Sequence, residues 1–431
     1  MTRRLVVCLD GTWNSSFAEH MRKDPRGAHE VLKPTNTLKT CRAVKPFAKD
    51  GIAQICYYDI GVGALAQYPG TANKMLYHFD RILGGAWAAG FEGNVEDALH
   101  FLTINFEPED EVFVFGFSRG AAEARAVTEF LDWNGGLPPK DDAYFLPFLF
   151  RAYVGGKGQT LRDDEVAKIN DDLQRHKHAP LDVSKFRKVG VTYLGVWETV
   201  LALGSRLGAT GATTTAHGRG FFTGKTPAKC VARARQALGV DEHRWDFRPE
   251  IWQRPSDDEQ KTKMEQRWFV GVHSNIGGGY GRDGLANIAL KWMLEGAKDG
   301  GLDLDWDFLD HFTPHSNGSL YNSSTFGYRI LDGLRRGDGH RPIPDDAELD
   351  ASIFERMTLR PEDFDKEDDH AVRELYRPRN VIEFLARKSE AEVQAYLARI
   401  KAPSLPADVA ATIAKLRKNQ RIPPAAAAAP A

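Results

Sequence analysis

A serine flanked by two glycines is the residue pattern with the clearest chemical meaning in this sequence. The pentapeptide GFSRG at 116–120 fits the pattern GxSxG, with Ser118 at its centre. An apolar run ends at Gly116 and a segment rich in small residues begins at Gly120, which predicts a strand, a sharp turn and a helix. Such a turn needs glycines on both sides and lifts the Ser118 hydroxyl above the edge of a sheet. The pattern predicts Ser118 as a catalytic nucleophile, and a structural serine is the alternative.

A serine hydroxyl needs a general base, and His273 is the candidate. It follows the apolar run 268–272 and precedes the sequence SNIGGGY at 274–280, whose glycines allow a tight loop with room for a substrate. Loops at the carboxyl ends of parallel strands build the sites of open α/β sheets. His217, in a segment rich in Gly and Thr, is the second candidate. A histidine that only caps a turn is the structural alternative.

The base in turn needs a carboxylate that orients it, and Glu198 is placed to supply one. It follows the apolar run 189–196, so it stands at the end of a predicted strand, as Ser118 and His273 do. The chain order Ser, Glu, His is that of α/β-hydrolases, in which either Asp or Glu serves. Asp241 and Asp246 are competing acids, and a solvated or salt-bridged Glu198 is the structural alternative.

Two N–H donors are expected to hold the negative charge that forms on the substrate oxygen. The Arg119 N–H, at the start of the helix after Ser118, is the first. The second is the N–H of Gly11 or Thr12, in the sequence LDGTWN that follows the first predicted strand. Asp10 is expected to brace this loop through hydrogen bonds. A metal role for Asp10 is the alternative, but no clustered ligand set accompanies it, so we expect neither a metal nor another cofactor.

The elements that would position these residues alternate between strands and helices. Strands are predicted where the sequence is apolar with little alternation, as in strands buried on both faces: 4–9, 52–59, 111–115, 189–196 and 267–272. Helices are predicted after Asn36 and at 86–105, 121–131, 287–297 and about 379–400. This order predicts an α/β fold with a mainly parallel central sheet and helices on both faces.

The domain organisation is expected to be one catalytic domain with additions. The catalytic domain spans 1–312, with inserted cap or lid segments at 138–165 and 203–225. A polar, helical C-terminal extension covers 313–401, and an Ala/Pro-rich tail at 402–431 is expected to be disordered at its end. Apolar side chains of the first insert either line an acyl groove or form the core of an inserted helix pair: Phe145, Leu146, Phe148, Leu149 and Phe150.

Composition excludes several classes of protein. The 431 residues include 57 Lys and Arg and 59 Asp and Glu, a net charge of −2, which argues against a dedicated nucleic-acid binder. No run of about 18 apolar residues predicts a transmembrane helix, and the first apolar run is too short for a signal peptide. The four cysteines form no CxxC pair, which predicts reduced thiols in a cytosol.

The sequence also resembles a known family: the uncharacterised α/β-hydrolase domain family that contains the type VI secretion phospholipase effectors of the first class. The matching pieces, in order, are LDGTWN, DIGVG, GGAWAAGFEGNVEDALHFL, GFSRGAAEARAV, YLGVWETV and FVGVHSNIGGGY, and they span about residues 4–300. The resemblance implies an α/β-hydrolase fold and a serine triad of Ser118, Glu198 and His273. The chain departs from the family pattern at Glu198, where Asp is usual, and at Asn275, where an acidic residue is common.

The resemblance implies a phospholipid or other ester as the substrate. For an exported effector it also implies a partner in the secretion apparatus and an immunity protein. Such a protein is cytoplasmic in the producing cell and is exported by a type VI secretion system without a cleaved signal. Two alternatives stay open: a cytosolic esterase that acts on small soluble esters, and a non-catalytic interaction module on a hydrolase scaffold.

Overall fold

The computed structural model describes most of the chain. The described residues are 2–11, 34–61, 85–156, 158, 160–200, 224–244, 247–254, 261–322, 340–365 and 371–419. Three residues that the sequence put forward, Thr12, His217 and Asp246, lie outside these ranges, and so does the predicted insert 203–225 up to residue 223.

A parallel sheet of seven strands forms the centre of the described structure. The strands are β1 (Arg3–Leu9), β2 (Ala53–Asp59), β3 (Glu111–Phe117), β4 (Val191–Trp197), β5 (Arg233–Gly239), β6 (Lys263–Phe269) and β7 (Glu348–Leu349). Their order across the sheet is β2-β1-β3-β4-β5-β6-β7. The predicted α/β class with a mainly parallel sheet is confirmed.

Twelve described α-helices connect and cover the strands. They are α1 (Asn36–Ala43), α2 (Gly85–Asn105), α3 (Arg119–Asn134), α4 (Leu146–Gly155), α5 (Arg162–Arg175), α6 (His273–Gly277), α7 (Gly284–Asp299), α8 (Trp306–Leu309), α9 (Ala351–Thr358), α10 (Arg379–Ala386), α11 (Glu390–Arg399) and α12 (Ala407–Lys418). Short 3-10 helices occur at Lys140–Phe145, Val183–Lys185 and Pro361–Asp363.

Two of the seven strands have no predicted counterpart. Strand β5 reads RARQALG and has no continuous apolar run, although its last four residues are buried. Its small side chains and neighbouring Arg residues hide a buried strand from a search for β-branched and aromatic runs. Strand β7 has only two residues, which is too short for any periodic signal.

Contacts divide the chain into two compact units. The first comprises Met1–Arg235, Glu250–Met264 and Glu295–Trp306, and the second comprises Gln236–Pro249, Glu265–Leu294 and Asp307–Ala431. In the first unit, helices α2, α3 and α4 share one apolar core with a face of the sheet, to which β1 contributes Leu5 and Val7 and β3 contributes Val112 and Val114. Alternate side chains of a strand share a face, so these residues line one side of the sheet.

The aromatic segment of the first predicted insert belongs to this core. Of its five apolar side chains named above, Phe148 is 54% exposed and the other four are buried. The ring of Phe150 meets that of Phe130 on α3 edge to face, with centroids 5.7 Å apart. This packing agrees with the interpretation of the segment as an inserted helical core rather than an acyl groove.

The second unit contains the C-terminal helices. The predicted helix at about 379–400 is two helices, α10 and α11, because Ser389 starts a new one. Its hydroxyl accepts from the Glu392 N–H (3.3 Å) and its own N–H donates to the Glu392 carboxylate (2.7 Å), which forms a capping box.

Within the described ranges, no helix has the length and apolar character needed to span a bilayer.

Candidate active site

Ser118 occupies a strained turn between β3 and α3. Its φ and ψ are 60° and −119°, a backbone conformation that residues with a Cβ rarely adopt. Two backbone hydrogen bonds hold it: the Ser118 N–H donates to the Trp197 carbonyl (3.0 Å), and the Ser118 carbonyl accepts from the Val200 N–H (3.2 Å). Backbone strain of this kind costs about 1–3 kcal/mol and persists where the surrounding structure enforces it, commonly at active sites.

The two glycines of the pentapeptide allow the strand and the helix to touch. A Cβ on Gly116 would lie 2.2 Å from the carbonyl oxygen of Gly120, and a Cβ on Gly120 would lie 2.2 Å from the carbonyl oxygen of Leu9. Both obstacles are backbone atoms, which cannot rotate away as a side chain can. The glycines therefore set the close approach of α3 to β1 and β3, and with it the position of Ser118.

Glu198 stands in the same relation to β4 as Ser118 does to β3. Phe117 and Trp197 are register partners on these neighbouring strands, and each is followed by a residue with positive φ, 60° at Ser118 and 50° at Glu198. Glu198 is fully buried. The structure therefore places two of the three predicted triad residues at matching positions on adjacent strand ends.

Asp10 forms a buried hydrogen-bonded centre at the end of β1. Its carboxylate accepts from the Gly11 N–H (2.7 Å), the Thr35 hydroxyl (2.6 Å) and the Tyr58 hydroxyl (2.6 Å). Burial raises the pKa of Asp10 to about 6, although the three donors act to lower it. Because the Gly11 N–H already donates to Asp10, a role as oxyanion donor requires it to exchange or share this bond.

A second buried carboxyl, Glu123, lies one turn into α3 and was missed by the sequence analysis. Its side chain is 1% exposed, and Asn94 Nδ2 lies 3.4 Å from both of its oxygens. Burial, followed by the charge of Asp59, raises the pKa of Glu123 to about 8. Burial also lowers the pKa of the Arg119 guanidinium to about 9, and the charge of Glu123 opposes that change. The i, i+4 spacing of Arg119 and Glu123 is the sequence signal that indicates this pair.

His273, in the second unit, begins the short helix α6 and is 5% exposed. The backbone N–H of His273 donates to the Glu242 carboxylate (3.2 Å). The His273 ring lies edge to face with the Phe247 ring, with centroids 4.9 Å apart. Burial acts to raise the pKa of Glu242, but three hydrogen bonds from Arg244 and the charges of Arg244 and Arg341 hold it at about 2. A carboxylate that is ionised at neutral pH therefore anchors the backbone of the predicted base.

The loop before His273 is shaped by Asp241, one of the competing acids. Strand β6 ends at Phe269, earlier than predicted, because Gly271 turns away with φ 134° and donates its N–H to Asp241 (2.7 Å). Asp241 also accepts from the Tyr376 hydroxyl (2.9 Å), and burial raises its pKa to about 6. Asn275 donates from its side chain to the Ser319 carbonyl (3.0 Å). Both Asp241 and Asn275 thus hold loop backbone in place.

No group of three or more His, Cys, Asp or Glu side chains among the described residues is arranged to hold a metal ion.

A parallel sheet with a serine at positive φ between strand and helix is the framework of the α/β-hydrolase class. A family model described as "T6SS, Phospholipase effector Tle1-like, catalytic domain" matches residues 3–296, and the chain belongs to this family. The resemblance stated from the sequence motifs is confirmed.

Three individual proteins also resemble this chain. The uncharacterized protein YEL023C of Saccharomyces cerevisiae is 29% identical over 136 residues, which are 31% of this chain and 18% of that protein. An uncharacterized protein from Pseudomonas aeruginosa has 15% identity and a TM-score of 0.41, over 96% of this chain and 62% of the other. The Tle1 effector bound to the VgrG spike of the type 6 secretion system has 15% identity and a TM-score of 0.38, over 77% and 79%. This chain spans less than two thirds of the length of the yeast protein and of the Pseudomonas aeruginosa protein.

Proposed function

We propose that this protein is a serine hydrolase of carboxylic esters that acts on a phospholipid, with Ser118, His273 and Glu198 as its catalytic triad. The observation that carries the proposal is the conformation of Ser118, a strained serine at the junction of a buried strand and a helix. Membership of a family described as phospholipase effectors supports the lipid as substrate.

The proposed mechanism begins with attack of the Ser118 hydroxyl on the acyl carbonyl. His273 takes the hydroxyl proton and returns it to the leaving alcohol, and Glu198 holds the imidazole in the required tautomer. The Arg119 N–H, at the first turn of α3, is one proposed donor to the oxyanion, and the N–H of Gly11 or Thr12 is the other. Water then releases the acyl group by the same steps in reverse order. The mechanism needs no cofactor.

The position of the three residues in the fold supports this assignment. Each follows the carboxyl end of a strand, β3, β4 or β6, in a sheet whose strands are parallel. Sites of open parallel sheets form at that edge. The chain order Ser, Glu, His is the order of α/β-hydrolases.

We also propose that the protein acts as a type VI secretion effector, on the strength of the family alone. In that role it would leave the producing cell without a cleaved signal, bind a component of the secretion apparatus and be inhibited by an immunity protein.

Purified wild-type protein and the Ser118→Ala variant test the function directly. We expect wild type to release fatty acid from mixed phospholipid vesicles, measured by lipid mass spectrometry, and to react with a fluorophosphonate probe. Ser118→Ala should lose at least about 10³-fold in turnover and all labelling. Ser184→Ala, which changes an exposed serine, is the matched control and should behave as wild type.

The outcomes separate the proposal from its alternatives. Equal hydrolysis by Ser118→Ala rejects Ser118 as the nucleophile. Turnover of short p-nitrophenyl esters without action on vesicles indicates an esterase of small soluble esters. Absence of both labelling and turnover in folded wild type indicates a non-catalytic module.

A further inference from the structure

Three of the four cysteines, far apart in sequence, meet between the sheet and helix α1. Cys8 on β1 and Cys56 on β2 are diagonal neighbours, since Val6 pairs with Cys56 and Cys8 pairs with Tyr58. Cys41 comes from α1, which covers this face. The Sγ atoms of Cys41 and Cys56 are 3.2 Å apart, and those of Cys8 and Cys56 are 3.9 Å apart. A disulfide needs about 2.0 Å between sulfurs, so a small side-chain rotation brings Cys41 and Cys56 to bonding distance.

The surroundings make the three thiols unequal. The Cys56 thiol donates a hydrogen bond to Cys41, and this bond, with a second from Cys8 and the nearby charge of Arg42, lowers the pKa of Cys41. Burial raises the pKa of Cys8, which is completely enclosed. Cys41 and Cys56 are half-buried. The cluster thus combines a nucleophilic sulfur on a partly exposed residue with a neighbouring thiol that can resolve it, the arrangement of thiol pairs that respond to oxidants.

We propose that Cys41 and Cys56 form a redox-active pair that hydroperoxides oxidise to a disulfide. The Cys41 thiolate attacks the outer peroxide oxygen, which forms a sulfenic acid and releases an alcohol or, from hydrogen peroxide, water. The Cys56 thiol then attacks the Cys41 sulfur, and the sulfenic oxygen leaves as water. Two thiols and one hydroperoxide give one disulfide, one alcohol and one water, and a dithiol reductant reverses the change.

This disulfide would join the two elements that support the loop at the end of β1. Thr35, which caps α1, and Tyr58, two residues after Cys56, both donate to the same oxygen of Asp10. A bond from α1 to β2 fixes these donors relative to each other. Because it also closes a loop in the unfolded chain, we expect the oxidised protein to unfold a few degrees higher than the reduced protein.

The full-length protein is incubated with hydrogen peroxide and compared with a sample kept in dithiothreitol. Free thiols are counted with a chromogenic disulfide reagent in denaturant, and cross-linked peptides are identified by mass spectrometry. We expect wild type to fall from four free thiols to two, with a linked Cys41–Cys56 peptide that dithiothreitol removes. Cys230→Ser is the matched control, since this thiol, half-buried like those of Cys41 and Cys56, lies away from the cluster and donates a hydrogen bond to the Thr128 carbonyl. It should fall from three thiols to one.

Cys41→Ser, which lacks the attacking sulfur, should keep three free thiols under the same treatment. Cys56→Ser should give no linked Cys41–Cys56 peptide and should lose one thiol, because Cys41 stays a sulfenic acid, which dimedone labels. Four thiols in treated wild type, a linked Cys8–Cys56 peptide as the main product, or Cys41 found as sulfinic acid without a disulfide would overturn the proposal. The wild-type peptide map decides between these results even if a variant does not fold.

Discussion

The contact between α3 and β1 makes Gly120→Ala the sharpest test of how the fold positions Ser118, the proposed nucleophile. The added Cβ would lie 2.2 Å from the Leu9 carbonyl oxygen and 2.5 Å from that of Asp10. These backbone atoms belong to the end of β1, which is held between β2 and β3. The helix must therefore move away from the sheet by about 1 Å to reach an ordinary contact distance. Ser118 directly precedes that helix.

The geometry sets the size of two effects. Overpacking a tight contact costs about 1–3 kcal/mol, which corresponds to a fall of several degrees in the unfolding midpoint. A displacement of about 1 Å at a catalytic group lowers the rate by about 10²-fold, equivalent to about 2.7 kcal/mol in the activation free energy. We expect Gly120→Ala to show both losses, with most of the loss in kcat.

The assay pairs hydrolysis of a short p-nitrophenyl ester with thermal unfolding followed by circular dichroism. Gly93→Ala is the control, because a Cβ there meets no atom within 4 Å and the residue lies inside helix α2. That change should raise stability by about 0.5–1 kcal/mol and leave turnover unchanged. If folded Gly120→Ala keeps the wild-type kcat/KM, the close contact of α3 with β1 does not position the proposed nucleophile.

Two buried carboxyls give further predictions. The pKa of Glu123 is raised to about 8, above its unfolded value near 4.5, so wild-type stability falls as pH rises through this window, by up to about 1.4 kcal/mol per pH unit from this group. Glu123→Gln has no carboxyl to titrate, so its free energy of unfolding relative to that of wild type should be higher at pH 8 than at pH 5 in urea unfolding. A higher relative free energy at pH 5 than at pH 8 would contradict this. Glu198→Gln removes the proposed orienting charge and should lower kcat on the p-nitrophenyl ester by about 10²–10⁴-fold with little change in KM. A wild-type kcat would exclude Glu198 from the triad.

The sequence predicted the elements whose local signals are strong. Runs of large apolar residues marked β1 to β4 and β6, and the glycines of GFSRG marked the turn at Ser118. Each signal lies within a few consecutive residues, so it needs no knowledge of distant contacts. The predicted end of β6 at residue 272 was wrong because no local signal marks the true end at Phe269. A hydrogen bond from the Gly271 N–H to Asp241, a residue on another segment, sets that end.

Contacts between segments distant in sequence were beyond prediction. Asp10 takes donors from Thr35 and Tyr58, and Glu123 takes one from Asn94, so the burial that raises both pKa values exists only in the folded chain. The hydrogen bond from the Gly11 N–H to the Asp10 carboxylate was also not predicted, although this N–H is a predicted oxyanion donor. A sequence indicates which residues are chemically able to act, and the fold decides which partners they already have.

The strain at Ser118 and Glu198 is best understood as one feature of the sheet edge. Both residues have positive φ directly after paired positions of β3 and β4. Two backbone bonds join Ser118 to the segment on either side of Glu198, since the Ser118 N–H donates to the Trp197 carbonyl and the Val200 N–H donates to the Ser118 carbonyl. A further bond from Glu250 N–H to the Thr199 carbonyl holds the segment after Glu198. Ser118 cannot relax without breaking the bonds that join it to the segment around Glu198. The fold thus holds the backbone of a serine and of a glutamate at two adjacent strand ends, at a cost of about 1–3 kcal/mol each, and the proposed roles of Ser118 and Glu198 depend on these backbone positions.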